Sequence, residues 1–310
     1  ATAAAGGWIA FQRYDLLLDP ISPATALALA FVAGSLHHHF ATERQQRWIQ
    51  QAFARYVSPN RVDYLVAHPE ALQLGGRRQE CSFIFTDLAG FTALMESLDP
   101  DAAVTLLNDY LDNMVRIAFT HDGTLDRIVG DAVAIMFSAP VPQPDHAARA
   151  LRCAAELHAF AANYAARART RGIALGATRI GIHSGEVTVG NFGGRTMFDY
   201  RALGDPVNTA ARLESVNKQL GTTVCVSAAT LSGAPDTPTR PVGRLVLKGK
   251  TEPLMVYEPL FATDPARRAD DAAYQAAWQL MRAGDERAAT LFDRLAAANP
   301  EDGLVSFHAR

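Results

Sequence analysis

The sequence is poor in cysteine, close to neutral, and without an apolar run long enough to cross a bilayer unaided; each shortage removes a class of explanation. Its three cysteines, Cys81, Cys153 and Cys225, stand far apart in apolar contexts, so neither a disulfide framework nor a zinc site is expected. They read as reduced core residues. A formal net charge of -3 offers no basic surface for phosphate backbones, so nucleic acid is not expected as a partner. No basic, apolar and small-residue succession of a signal peptide opens the chain, and its first residue is Ala, which points to a piece of a longer protein.

What is present is an ordinary globular composition, 49% hydrophobic and 20% charged over 310 residues, enough for one catalytic-size domain with appendages. Residues 1–40 differ from the rest: ATAAAGGWIAF and PATALALAFVAGSL flank a polar stretch, QRYDLLLDP. Neither run reaches the roughly 20 residues of a membrane helix, but residues 21–40 come close if Ser22, His37, His38 and His39 lie at the interface. Arg13, Asp15 and Asp19 fill the turn, whereas Arg44, Arg47, Arg55 and Arg61 follow the second run. This asymmetry places the remaining chain in the cytoplasm, at the inner (plasma) membrane. A membrane helical hairpin over 1–40 is the expectation, with an Ala-rich pair of core helices as the plainer alternative. Residues 41–79 read as amphipathic connecting helices, with Trp48, Ala52, Phe53, Tyr56 and Val57 on one stripe, ending in the linker LGGRR.

From residue 80 to 262 helices alternate with hairpins. CSFIF reads as a buried strand, residues 100–123 as a long helix, and TLDRIVGDAVAIMF as two strands joined at Gly130 and Asp131. A second long helix follows, then TRIGIHSGEVTVGNFG as a strand pair with a glycine turn, then a third helix, PVNTAARLESVNKQL. TTVCVS, RLVLKGK and LMVYEP close the sheet. The fold class expected is α+β, a two-layer ferredoxin-like domain with a mainly antiparallel sheet. Residues 263–310 read as an Ala-rich helical tail resembling one tetratricopeptide repeat, turning at Gly284 and stopping at Pro300. One repeat cannot bury its own face, so it must pack on the domain or on a partner.

The chemistry starts at Asp87, a carboxylate at the end of a buried strand. The residues after it, Leu88, Ala89, Gly90, Phe91 and Thr92, are small or turn-forming and open a helix, so their main-chain amides can approach an anion. That pattern suits a triphosphate carried with Mg²⁺. Asp131, in the turn of the next hairpin, is a second carboxylate; two suffice for magnesium, which takes its other oxygens from phosphates. Either Asp alone would more often be a turn or cap residue.

FTDLAGFT, GTLDRIVGDAVAIMF, RIGIHSGEVTVGNFG, DYRALGDPVNTAARLE and LKGK, in this order, closely resemble the catalytic domain of class III nucleotide cyclases. The resemblance implies a homodimer with sites at its interface, converting ATP to 3′,5′-cyclic AMP and pyrophosphate with two Mg²⁺ or Mn²⁺ ions per site. By position it makes Asp87 and Asp131 metal ligands, with Leu88 among the metal contacts. It makes Arg179 and Lys248 polyphosphate contacts, and Asn208 and Arg212 the pair that orients the ribose and stabilises transition-state charge. Arg212 lies one helical turn after Asn208, so both can face one cleft. The sequence departs from the family at the base-reading positions. Arg127 stands where adenine-selective members have Lys, and Arg201 where they have Asp or Thr. Arginine has no acceptor for the adenine amino group but can donate to guanine, so GTP, relaxed specificity or a catalytically silent nucleotide-binding role remain alternatives to ATP. In layout the chain is similar to bacterial cyclases with a CHASE-type extracytoplasmic sensor, which this sequence does not contain.

Overall fold

The computed structural model describes residues 6, 8–9, 11–13, 25–35, 62, 75–193, 198–266 and 268–310. The chain divides into two compact units, Ala1–Phe53 and Ala54–Arg310. In the first, residues 25–35 form an exposed helix, and no helix among the described residues is long and apolar enough to cross a membrane. The described residues thus do not support the membrane hairpin expected over 1–40, most of which lies outside them. The stripe at 48–57 lies outside the described residues.

The second unit is an α+β fold built on an open sheet of eight strands. They are β1 (Gly75–Leu88), β2 (Thr124–Val129), β3 (Ala132–Phe137), β4 (Thr178–Gly193), β5 (Phe198–Leu203), β6 (Val224–Ser227), β7 (Thr239–Leu245) and β8 (Leu254–Pro259), in the order β2-β3-β1-β4-β6-β8-β7, with β5 on β4. The helices are α1 (Phe91–Ser97), α2 (Pro100–Thr120), α3 (His146–Thr170), α4 (Asp205–Leu220), α5 (Ala228–Ser232), α6 (Asp271–Arg282), α7 (Arg287–Ala298) and α8 (Gly303–His308).

Three expectations are corrected. The sheet is mixed rather than mainly antiparallel in plan, because β4 and β6 pair in parallel at its centre while their neighbours pair antiparallel. The cause lies in the connection: the chain leaves β4 through the antiparallel β5 and returns along β4 as α4, so β6 begins at the end of the sheet where β4 began and runs parallel to it. β1 begins at Gly75, inside the segment read as a linker, since residues 75–78 pair with 188–191 of β4. The third correction concerns RIGIHSGEVTVGNFG, which is one continuous strand rather than a pair with a turn. Its glycines serve close approach instead: a Cβ on Gly181 would lie 2.1 Å from the Glu214 amide and 2.2 Å from the Ala210 carbonyl, and one on Gly185 2.8 Å from Pro206. Those positions let α4 settle directly on the strand.

The layers follow from helical periodicity. α2 is capped by the Asp99 carboxylate, has Pro100 in its first turn and buries Ala103, Leu106, Tyr110, Met114 and Ile117 at three- and four-residue spacing. With α3 it covers Ile84, Val133, Ile135, Ile180 and Val226 of the sheet. A second core joins α4 to β7, β8 and the tail helices through Leu213, Leu220, Val242, Val256, Tyr274, Trp278, Phe292, Leu304 and Val305.

Candidate active site

β1 delivers Asp87 to the end of the central strand, opposite Arg179 of β4 in register. The two-residue turn Gly130–Asp131, with Gly130 at φ 62, reverses β2 into β3 and brings Asp131 beside it; a positive φ matches the twist of a tight hairpin. Asp131 accepts a hydrogen bond from the Leu88 amide at 2.8 Å, and an Arg179 Nη donates to Asp87 Oδ2 at 2.6 Å. From α4, Glu214 brings a third carboxylate, its Oε1 3.2 Å from Arg179 Nε. That contact is within ion-pair reach but misaligned, leaving Arg179 Nε and Glu214 Oε1 without a hydrogen bond. Burial, helped by the Asp87 charge, pushes the Asp131 carboxyl above its ordinary range against the pull of the Leu88 amide. Burial and then Asp87 do the same to Glu214, against Ser215 and Arg179.

Two acids, Asp87 and Glu214, thus flank Arg179, and Asp131 stands beside them on the Leu88 amide, a set of hard oxygen donors suited to Mg²⁺ or Mn²⁺. Among the described residues no three His, Cys, Asp or Glu are disposed to hold a metal by themselves. The expected amide cradle is narrower than the sequence suggests. The Leu88 amide is taken by Asp131 and the Ala89 amide by the Ala177 carbonyl at 3.0 Å, leaving Gly90, Phe91 and Thr92 at the start of α1. Gly90 sits at φ 73, a left-handed conformation that favours glycine. The Leu88 side chain is buried, so any metal contact from this residue falls to its main-chain oxygen.

A second group forms where α4 begins. Asn208 is exposed, and Arg212 is half-buried with its guanidinium against Gly249, 3.4 Å from where a Cβ there would stand. Lys250 of the same LKGK loop pairs with Asp205, holding that carboxyl below its usual range, with Arg212 adding to the effect. Lys248 is exposed. Beneath, His183 is buried, bonds Ser227 through Nδ1 at 2.7 Å and is pushed down to about 4 by burial and by Lys250. Arg127, on β2, has Nε 3.1 Å from Asp126 and its guanidinium 6.0 Å from the Phe85 ring. Arg201, exposed on β5, stands opposite Gly190 of β4.

The structure therefore gathers Asp87, Asp131 and Arg179 in one cluster, and Arg212 with the LKGK loop in another. Sequence reasoning missed Glu214, Asp205 and Lys250. Glu214 was within reach, lying on the α4 face that packs on Gly181, whereas the Asp205–Lys250 pair spans 45 residues and has no local signature.

Residues 75–258 match the family described as the adenylate and guanylate cyclase catalytic domain. Adenylate cyclase 1 of Rhizobium meliloti (strain 1021) is 37% identical over 210 residues, 66% of this chain and 31% of that protein; the chain thus spans about a third of that relative. Among solved structures, the adenylyl cyclase CyaB from P. aeruginosa is similar with a TM-score of 0.56 and 34% identity, covering 60% of this chain and 96% of that one. The guanylyl cyclase Cya2 is similar with a TM-score of 0.55 and 31% identity, covering 62% and 97%. With more than half its length matched, and with the paired acids and α4 in place, the chain belongs to the adenylate and guanylate cyclase catalytic-domain family.

Proposed function

We propose that this chain converts ATP to 3′,5′-cyclic AMP and pyrophosphate in a homodimer whose interface completes each site. The observation that carries the reading is the meeting of Asp87 and Asp131 at the end of β1, joined through the Leu88 amide at 2.8 Å. Asp87, Asp131 and the Leu88 main chain would hold two Mg²⁺ or Mn²⁺ ions. When bound, such ions would polarise the phosphate oxygens and make the ribose 3′-hydroxyl easier to deprotonate.

The chain's own groups do the rest. As the 3′-hydroxyl gives up its proton to water and its oxygen bonds to the α-phosphorus, the bond from that phosphorus to the bridging oxygen breaks and pyrophosphate leaves; negative charge grows on the phosphate oxygens, and fixed cations placed there lower the barrier. Arg179 can turn from Asp87 to the polyphosphate once that carboxylate is engaged elsewhere, and Lys248 is free to meet phosphate from the loop. Asn208 orients the ribose and Arg212 meets the developing charge. These two stand in a different cluster from the acids, which supports a site completed by the partner subunit.

The base-reading positions favour a second reading. Arg127 and Arg201 bring donors and no acceptor, suiting guanine O6 and N7, so a guanylate or relaxed-specificity cyclase is the alternative. Competition of ATP with GTP on purified full chain in Mn²⁺ separates them. Cyclic AMP as main product supports the first reading and cyclic GMP as main product the second; nucleotide binding without pyrophosphate release makes the chain a silent nucleotide-binding regulator.

A further inference from the structure

The C-terminal segment follows the matched family region, which ends at residue 258, yet it is built into the fold at the far end of α4. That helix ends at Gly221, φ 71, and there its backbone touches the start of α8. A Cβ on Gly303 would lie 2.0 Å from the Gly221 carbonyl oxygen, and one on Gly221 2.8 Å from the Gly303 Cα. No side chain fits between them. Gly303 is held by its neighbour Asp302, whose carboxylate accepts two hydrogen bonds from Arg240 of β7, at 2.6 and 2.7 Å, one from the Ala269 amide at 3.0 Å and one from the Val305 amide at 3.3 Å. Arg240 also donates to Glu258 at 2.7 Å and lies over the Tyr274 ring at 5.0 Å. Arg240, Glu258 and Asp302 are each 4% exposed or less. Leu213 and Leu220 of α4 share their core with Leu304 and Val305 of α8.

α4 thus rests on two bearings: Gly181 of β4, against its middle, and Gly303 of α8, against its end. We infer that the C-terminal segment is a positioning element for α4, in which Asp302, pinned by Arg240, fixes Gly303 against Gly221 and so sets how far α4 carries Asn208 and Arg212 into the cleft. The inference rests on the proposed roles of Asn208 and Arg212. A helix is stiff along its axis, so a displacement at Gly221 reaches Arg212 two and a half turns away. Misplacement of a catalytic group by about 1 Å costs on the order of a hundredfold in rate. Asp302 and Gly303 are positioning residues, acting through α4.

The test compares three variants of the full chain. Gly303→Ala pushes directly on Gly221; Asp302→Asn keeps the shape but weakens the pin; Phe292→Leu loosens the same core away from α4. Turnover, KM, Tm and amide hydrogen exchange over residues 205–220 are measured for each. Gly303→Ala and Asp302→Asn are expected to lower kcat by roughly tenfold or more with KM within about twofold, and to speed exchange in α4. Phe292→Leu is expected to lower Tm without either change. Wild-type kcat and exchange in a folded Gly303→Ala or Asp302→Asn would overturn the inference, as would an equal kcat loss in Phe292→Leu at equal Tm. Should Gly303→Ala fail to fold, Asp302→Asn decides. If the wild-type chain makes no cyclic nucleotide, the cyclase reading falls, and α4 exchange alone decides the positioning role.

Discussion

Arg240 and Arg179 each stand between two carboxylates, and their surroundings differ. Arg240 sits between Glu258 and Asp302 with contacts of 2.6 to 2.7 Å and side chains no more than 4% exposed. Arg179 sits between Asp87 and Glu214 at 2.6 and 3.2 Å, with Asp87 35% exposed and one of the two contacts misaligned. The chemistry is the same; the completion is not. A buried, fully bonded triad holds one geometry, since losing any member strands a charge in the interior. An open and incompletely bonded one can exchange partners at little cost, which a site for metal ions and polyphosphate requires. The tail junction is thus read as architecture and the Asp87 cluster as chemistry.

Arg240→Met breaks the comparison on its structural side. It leaves Glu258 and Asp302 buried together without a cation and is expected to cost about 3–5 kcal/mol, measured by urea unfolding. The second effect is on pH. Each region owns a histidine held mostly neutral: His183, buried near the LKGK loop, and His308, half-buried among the tail aromatics, both pushed down from 6.5 to about 4, chiefly by burial. An unfolded chain binds those protons first, so stability is intact above pH 6.5 and falls as pH drops toward 4, by about 2–3 kcal/mol per histidine. Unfolding curves across that window should flatten in part with His183→Asn and again with His308→Phe. Third, Arg179→Met sharpens the functional side: turnover should fall about a hundredfold, while stability changes by about 1 kcal/mol because Asp87 stays partly open to water. The smallest effect belongs to Lys250→Met. Its partner Asp205 is 63% exposed, so stability should move by less than about 1 kcal/mol and turnover only a few-fold, in a direct kinetic comparison with wild type.

The same contrast explains what could be read from the sequence. Asp87 and Asp131 are each announced locally, one by a buried strand ending in a turn, the other by Gly–Asp between two apolar runs. The pairing of β1 with β3 then brings them together. α2, α3 and α4 follow from periodicity, and the turn at Gly284 from its place between two amphipathic stretches. The Arg240–Asp302 pin has no such signal, because its partners lie 62 residues apart and each reads singly as a surface charge. The parallel β4–β6 pairing was implied by the helix between them but hidden by reading β4 as two strands. There the glycines looked like turn residues, and only the approach of α4 shows what they do. In the first unit, hydropathy suggested a span over residues 21–40, of which only residues 25–35 are among those described.

The most direct measurement is electron paramagnetic resonance of Mn²⁺ added to the full chain with a non-cyclisable ATP analogue, compared with Asp87→Asn and Asp131→Asn. The account predicts that the wild-type chain takes up two Mn²⁺ ions per site in the presence of the analogue, and that each substitution abolishes at least one while Tm stays close to wild type. Unchanged Mn²⁺ uptake in folded Asp87→Asn and Asp131→Asn would contradict it.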